Sequence, residues 1–206
     1  MHRFNDIHTH TPGVPNSVLS IPVSGVEGIV AANAIAASDG SSAAQPNAPN
    51  QCIRLQYYSL QLHPWHLTGE QDIVAFVQCA HRLAGDPHFV ALGECGLDPL
   101  CTTPLPLQHE AFLTALRLAK ELHKPLIIHC VRLWSELIHD VHQVFTPAEC
   151  QALPLIIHGY RKGPQLARQL LDAGFSISLG THYNEQVRSL IPADRLYFES
   201  DEQASI

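Results

Sequence analysis

Charge is scarce in this 206-residue chain: 15% of residues are Asp, Glu, Lys or Arg, and twelve Lys plus Arg face nineteen Asp plus Glu for a formal net charge of −7. That balance argues against a surface that grips long nucleic acid by neutralising many phosphates, so any phosphate binding must be local. No apolar run approaches the roughly 20 residues needed to cross a bilayer. The opening Met-His-Arg-Phe-Asn-Asp has no apolar stretch behind a basic one, so no secretory signal is read and the cytoplasm is the default compartment. The six cysteines (Cys52, Cys79, Cys95, Cys101, Cys130, Cys150) form no CxxC pair and no tight framework, and read as mostly reduced and structural. With 46% apolar residues the chain reads as soluble and globular. Its length suits one compact domain over residues 1–206 but is short for a complete α/β barrel of roughly 250 residues.

Histidine, by contrast, is abundant. Fourteen of them stand out, because imidazole is the commonest metal ligand. Their positions matter more than their number, and those depend on the order of elements. Strand-like runs fall at Phe4 to His10, Val18 to Val23, Gln56 to Leu62, Phe89 to Leu92, Leu126 to Ile128, Leu155 to Ile157, Phe175 to Leu179 and Arg195 to Phe198. Helical periodicity fills Glu70 to Ala84, Gln108 to His123, Leu133 to Phe145 and Pro164 to Ala173. Ser24 to Asn50 is dominated by Ala, Ser, Asn, Gly and Pro and reads as a long mobile loop replacing one crossover helix. Eight strands alternating with about four good helices predict an α/β fold, a (β/α)8 TIM-type barrel, distorted, with reduced outer helices and a truncated C-terminus. An open doubly wound sheet is the competing architecture.

In such a barrel, function sits where strands end. His8 and His10 end the first run, His63 the third, Glu94 follows the fourth, His129 the fifth, His158 the sixth and Asp201 the last. An i, i+2 pair such as His8 and His10 projects from one face of a strand, so both imidazoles can reach one ion. Each has a plainer reading alone. A lone HxH is often accidental, His129 and His158 could be core histidines satisfied by backbone, and Glu94 and Asp201 could be loop carboxylates in water. Acid or imidazole groups just past several separate apolar strands are hard to obtain by chance. His81, His88, His109, His123, His139 and His142 have no strand-end placement and read as surface or structural, and His182 is left undecided.

The series DIHTH, LHPWH, ALGECGLD, LIIHC, IIHGYRKG and YFESD, in this order and spacing, resembles the TatD-like metal-dependent hydrolases, a branch of the amidohydrolase-type barrels. The resemblance implies a divalent-metal phosphoesterase, typically a deoxyribonuclease acting on strand ends. It implies that His8, His10, Glu94 and Asp201 hold one ion and that Glu94, His129 and His158 hold a second, with Glu94 bridging. It also implies that Asp201 lies beside the attacking water, as a base. The family commonly has Arg two positions after the equivalent of His129, where Val131 stands here with Arg132 next, and it continues well past the ESD element.

The expected chemistry is hydrolysis by a metal-activated water, with two divalent ions (Zn²⁺, Mg²⁺ or Mn²⁺) neutralising charge on phosphoryl oxygens. His63, His66, Arg132 and Arg161, with Lys162, are the candidates for contacting substrate, either DNA ends or a small phosphodiester. Two rivals stay open: an acyl or amide hydrolase on the same scaffold, and a catalytically silent metal-binding interaction protein.

Overall fold

The computed structural model describes residues 4–12, 14–38 and 56–200. Within them, eight strands lie in one parallel sheet whose spatial order follows the chain: β1 (Asp6–Thr9), β2 (Ser17–Pro22), β3 (Tyr57–Leu62), β4 (Phe89–Leu97), β5 (Leu126–Cys130), β6 (Leu155–Ile157), β7 (Ser176–Leu179) and β8 (Leu196–Phe198). A doubly wound sheet would reverse its strand order at a switch point. This one does not reverse, and β8 comes round against β1. The seam is held by Ser200, whose hydroxyl donates to Asp6 Oδ2 at 2.6 Å and whose backbone N–H donates to Asp6 Oδ1 at 3.2 Å. The result is a nearly closed TIM-type barrel.

Helices cover the outside. They are α1 (Val26–Ser38), α2 (Glu70–Leu83), α3 (Leu105–Leu122), α4 (Trp134–Val144), α5 (Pro147–Ala152), α6 (Pro164–Asp172) and α7 (Glu185–Arg188). The four expected from periodicity bury the faces that the sequence marked, for example Ile73, Phe76, Ala80 and Leu83 on α2 and Phe112, Ala115, Leu116 and Ala119 on α3. No helix among the described residues is long and apolar enough to cross a membrane.

The expected loop at Ser24 to Asn50 is corrected over its first half. A 3-10 turn at Val23–Gly25 leads into α1, so the β2 to β3 crossover carries a helix; residues 39–50 lie outside the described ones. The sequence of α1, VEGIVAANAIAAS, looks uninformative because it is Ala-rich. Alanine is also the best helix former, and docking supplies the rest. Val26 is buried, and the Asn33 amide donates to Gln56 O at 3.0 Å while its oxygen accepts from Gln56 N–H at 2.8 Å.

Two cores follow from strand alternation. Ile7, Val18, Ala91, Ile127, Ile156 and Tyr197 fill the barrel interior. Leu92, Leu126, Ile128, Leu155 and Ile157 point outward to the helices. Two strands break this phase. Between Leu92 and Cys95, β4 spends three steps where β5 spends two (Leu92↔Leu126, Cys95↔Ile128), and it does the same against β3. Likewise β1 runs three steps from Asp6 to Thr9 against two on β2. Each extra residue is a bulge that re-aims the side chains beyond it. Glu94 and His8 sit at those bulges.

Candidate active site

The described metal-ligand candidates, His8, His10, Glu94, His129 and His158, meet at the C-terminal mouth of the barrel. His129 and His158 stand two residues beyond the inward-facing Ile127 and Ile156, so plain alternation aims both imidazoles inside. Glu94, 4% exposed, reaches the same place through the β4 bulge. Gly93, at φ +97°, makes this possible: a Cβ there would stand 2.9 Å from the Ile127 carbonyl carbon and closer still to its oxygen, so only glycine lets β4 approach β5 this tightly.

The two oxygens of Glu94 divide the histidines between them. Oε2 faces His8 Nε2 at 3.2 Å and His10 Nε2 at 3.8 Å. Oε1 faces His63 Nε2 at 3.3 Å, His129 Nδ1 at 3.0 Å and His158 Nε2 at 2.5 Å. Five imidazoles around one buried carboxylate are more than its lone pairs can serve through protons. The arrangement suits cations, and nitrogen and oxygen donors fall within 4.8 Å of one another in the sets His8, His10, Glu94 and His63, Glu94, His129.

Outer contacts set which ring nitrogen each histidine offers. His129 turns Nε2 to Asp98 Oδ2 at 3.2 Å, and His158 turns Nδ1 to Glu199 Oε1 at 3.5 Å. A neutral ring that directs its proton to the outer carboxylate, as a metal ligand requires, turns a lone pair toward Glu94. His63 is wired the opposite way. Its Nδ1 accepts the Trp65 backbone N–H at 3.1 Å, so in the neutral ring the proton sits on Nε2 and His63 is a donor toward the site. That tautomer sets His63 apart from the ligand candidates, although its nitrogen is equally close. The two outer carboxylates are themselves held. Asp98 Oδ2 accepts the Trp65 indole N–H at 2.6 Å and Oδ1 the Leu100 N–H at 2.8 Å, while Glu199 Oε1 accepts the Gly159 N–H at 2.5 Å.

Among the protein groups by themselves, by contrast, the carboxylates favour a second proton on His158, on the nitrogen that faces Glu94. Burial pushes the Glu94 carboxyl up, but His158, His129 and His63 outweigh it and hold it well below the ordinary range. Burial pushes the His158 imidazole down, and the Glu94 and Glu199 charges carry it well above 6.5. For Asp98 and Glu199, burial is again outweighed, by the Trp65 N–H with His129 and by His158 respectively, and both carboxyls are lowered. His63 is lowered, because its burial exceeds the pull of Glu94.

Of the substrate candidates, Arg161 and Lys162 are exposed and line a cavity of about 440 Å³ that opens on His129 and His158. His66 is exposed and shares a second cavity of about 350 Å³ with His63. Arg132 is exposed, at φ +64°, and lines neither cavity. Asp201 lies outside the described residues. Elsewhere His88 and His109 pair with Asp86 and Asp140, and the cysteines among the described residues are free thiols. The sequence reading missed Asp98 and Glu199, although they stand in the motifs GECGLD and YFESD. For Glu199 a signal existed: it lies two residues past the inward Tyr197.

Residues 23–202 match the sequence model of the family described as TatD related DNase. A protein named an uncharacterized metal-dependent hydrolase, YcfH, from Escherichia coli K12 is 32% identical over 162 residues, 68% of this chain and 60% of its own length. One named a 3′-5′ ssDNA/RNA exonuclease, TatD, from Erwinia billingiae is 32% identical over 153 residues, 68% of this chain and 55% of its own. The chain thus spans between 55 and 60% of these relatives. Among solved structures, YJJV, a TatD homologue from Escherichia coli K12, superposes with a TM-score of 0.71 at 20% identity over 97% of this chain and 79% of the other, a likeness of fold.

Proposed function

The chain belongs to the TatD related DNase family, and from that premise we propose that it is a divalent-metal-dependent phosphodiesterase that trims single-stranded nucleic acid from an end. The observation that carries this reading is the division of Glu94, with Oε2 toward His8 and His10 and Oε1 toward His129 and His158. Such a carboxylate suits a bridge between two ions. In this reading His8, His10, Glu94 and Asp201 would hold one, and Glu94, His129 and His158 would hold the other. Divalent ions there (Zn²⁺, Mn²⁺ or Mg²⁺) would supply Lewis acidity, acidifying water and neutralising charge on phosphoryl oxygens.

The chain's own residues supply the rest. Asp98 and Glu199 fix the His129 and His158 rings with one lone pair inward. His63, protonated on Nε2, is a donor toward a non-bridging phosphate oxygen rather than a ligand. Arg161 and Lys162 add local charge at the cavity lip, and Asp201 takes the proton from the attacking water. His66 and Arg132 are further substrate contacts in this reading. A single domain carries the site, and the free thiols suit a cytoplasmic setting.

The test is metal analysis of protein purified without a histidine tag, paired with hydrolysis of 3′- and 5′-ended oligonucleotides. Two ions per chain with release of mononucleotides is the expected result. Glu94→Gln should lose both ions together, because each set shares that carboxylate. Loss of one ion only would break the bridging assignment, and hydrolysis of esters or amides but of no phosphodiester would overturn the nuclease reading.

A further inference from the structure

We propose that Trp65 is a stacking platform for a nucleobase of the bound strand, an inference that rests on the nuclease reading above. Trp65 is 55% exposed at the mouth of the barrel, in the 3-10 turn Pro64–His66. Large apolar side chains left in water at a site's rim call for an explanation that scattered ones do not. This ring is not loosely displayed. Its backbone N–H is held by His63, and its indole N–H is held by Asp98 Oδ2 at 2.6 Å, the oxygen that also faces His129. The indole is therefore indexed to the metal-ligand cluster, with its centroid 5.4 Å from the His63 ring and 6.5 Å from that of His129. Both rings meet it steeply, at 88° and 76°, and none among the described residues stacks on it face to face.

Charge arithmetic favours a base over a phosphate run as what gives this surface its affinity. A chain of net charge −7 cannot draw on release of many counterions, so a strand must be held by a few strong local contacts. Arg161 and Lys162 serve the phosphate from the His129 and His158 side. Stacking on an exposed aromatic supplies the remainder, and it accepts any base, since every base has a π face. A platform tied to the metal ligands would also seat an unpaired residue beside the scissile bond, which a base-paired end cannot offer without fraying.

Tryptophan occurs only at positions 65 and 134, so Trp134→Phe leaves Trp65 as the sole emitter. That protein, in Mg²⁺ buffer, is titrated with a cleavage-resistant phosphorothioate oligonucleotide and with the same backbone made wholly of abasic residues, binding being followed independently by anisotropy of a label on the chain. The oligonucleotide should quench Trp65 saturably and the abasic chain should not. In the parent background, Trp65→Ala and Trp65→Phe both remove the N–H that holds Asp98, so the effect of that loss on binding of the abasic chain is common to the two. Trp65→Ala should weaken oligonucleotide binding roughly 5- to 150-fold more than it weakens abasic binding, the range expected for one stacked base. Trp65→Phe should recover most of that excess although it lacks the N–H. Oligonucleotide binding without quenching, or equal weakening of both chains by Trp65→Ala, would overturn the platform while leaving the nuclease reading intact. Absence of binding to either chain together with no phosphodiester cleavage would overturn both.

Discussion

Gly93→Ala is the smallest change that should dismantle the site without touching a polar atom. Its methyl group would stand 2.9 Å from both the Ile127 carbonyl carbon and backbone nitrogen. Carbon atoms pack at about 3.5–4.0 Å, so these two contacts alone require β4 and β5 to part locally by about 0.6–1.1 Å, and the Ile127 carbonyl oxygen, closer still, requires more. The obstacle is main chain in the middle of a sheet, with no flexible side chain to swing away. The residue also sits at φ +97°, where an L side chain costs about 1–2 kcal/mol, and forced backbone shifts in packed interiors cost about 1–3 kcal/mol more. The sum, about 2–5 kcal/mol, corresponds to a fall in Tm of about 4–20 °C for a chain of this size. Glu94 is the next residue, and a displacement near 1 Å is enough to cost about a hundredfold in catalysis. Thermal denaturation of the metal-free protein, metal titration by calorimetry and phosphodiester turnover report these effects separately. Gly85→Ala, where a Cβ would meet nothing within 4 Å, is the control and should stay within about 0.5 kcal/mol of the parent. A Gly93→Ala protein that melts within about 2 °C of the parent, with unchanged metal affinity, would refute the claim that the bulge at this glycine sets the carboxylate.

Other substitutions probe neighbouring links. Asn33→Ala strips both partners from the buried backbone N–H and C=O of Gln56, so urea denaturation should show a loss of about 1–3 kcal/mol, and no loss would mean that α1 is not docked as described. Gln108→Leu keeps the volume but orphans Asp98 N–H, Asp98 O and Thr103 O, bonded at 2.8, 3.0 and 2.8 Å; a loss of about 2–5 kcal/mol is expected, with weaker metal binding through the loosened Asp98 and His129 pair. Asp201→Asn keeps an oxygen but little basicity, and should lower kcat at least about a hundredfold while the His129 and His158 side still loads; activity within a few fold of the parent at saturating metal would eliminate Asp201 as the base.

The parts of this protein legible in the sequence are those governed by short-range periodicity. LIIHC and LIIHG alternate, so once Ile127 and Ile156 face the interior, His129 and His158 must do so two residues later, and helices with a clear apolar stripe announced themselves in the same way. Where tertiary pairing overrides local pattern, the sequence was silent or misleading. Counting by twos from Ala91 would place Gly93 inward and Glu94 outward; the extra residue in β4 reverses this, and a bulge exists only relative to the strands on either side. The Ala-rich stretch before Ser38 read as loop because its helix is secured by Asn33 bonding to a residue 23 positions away. Likewise, that His63 is a donor and His129 a lone-pair provider rests on Trp65 N–H and Asp98, contacts that only the folded chain brings within hydrogen-bonding distance. Residue type and spacing determined which side chains could form a metal site; the long-range register of the barrel decided which atom of each faces it.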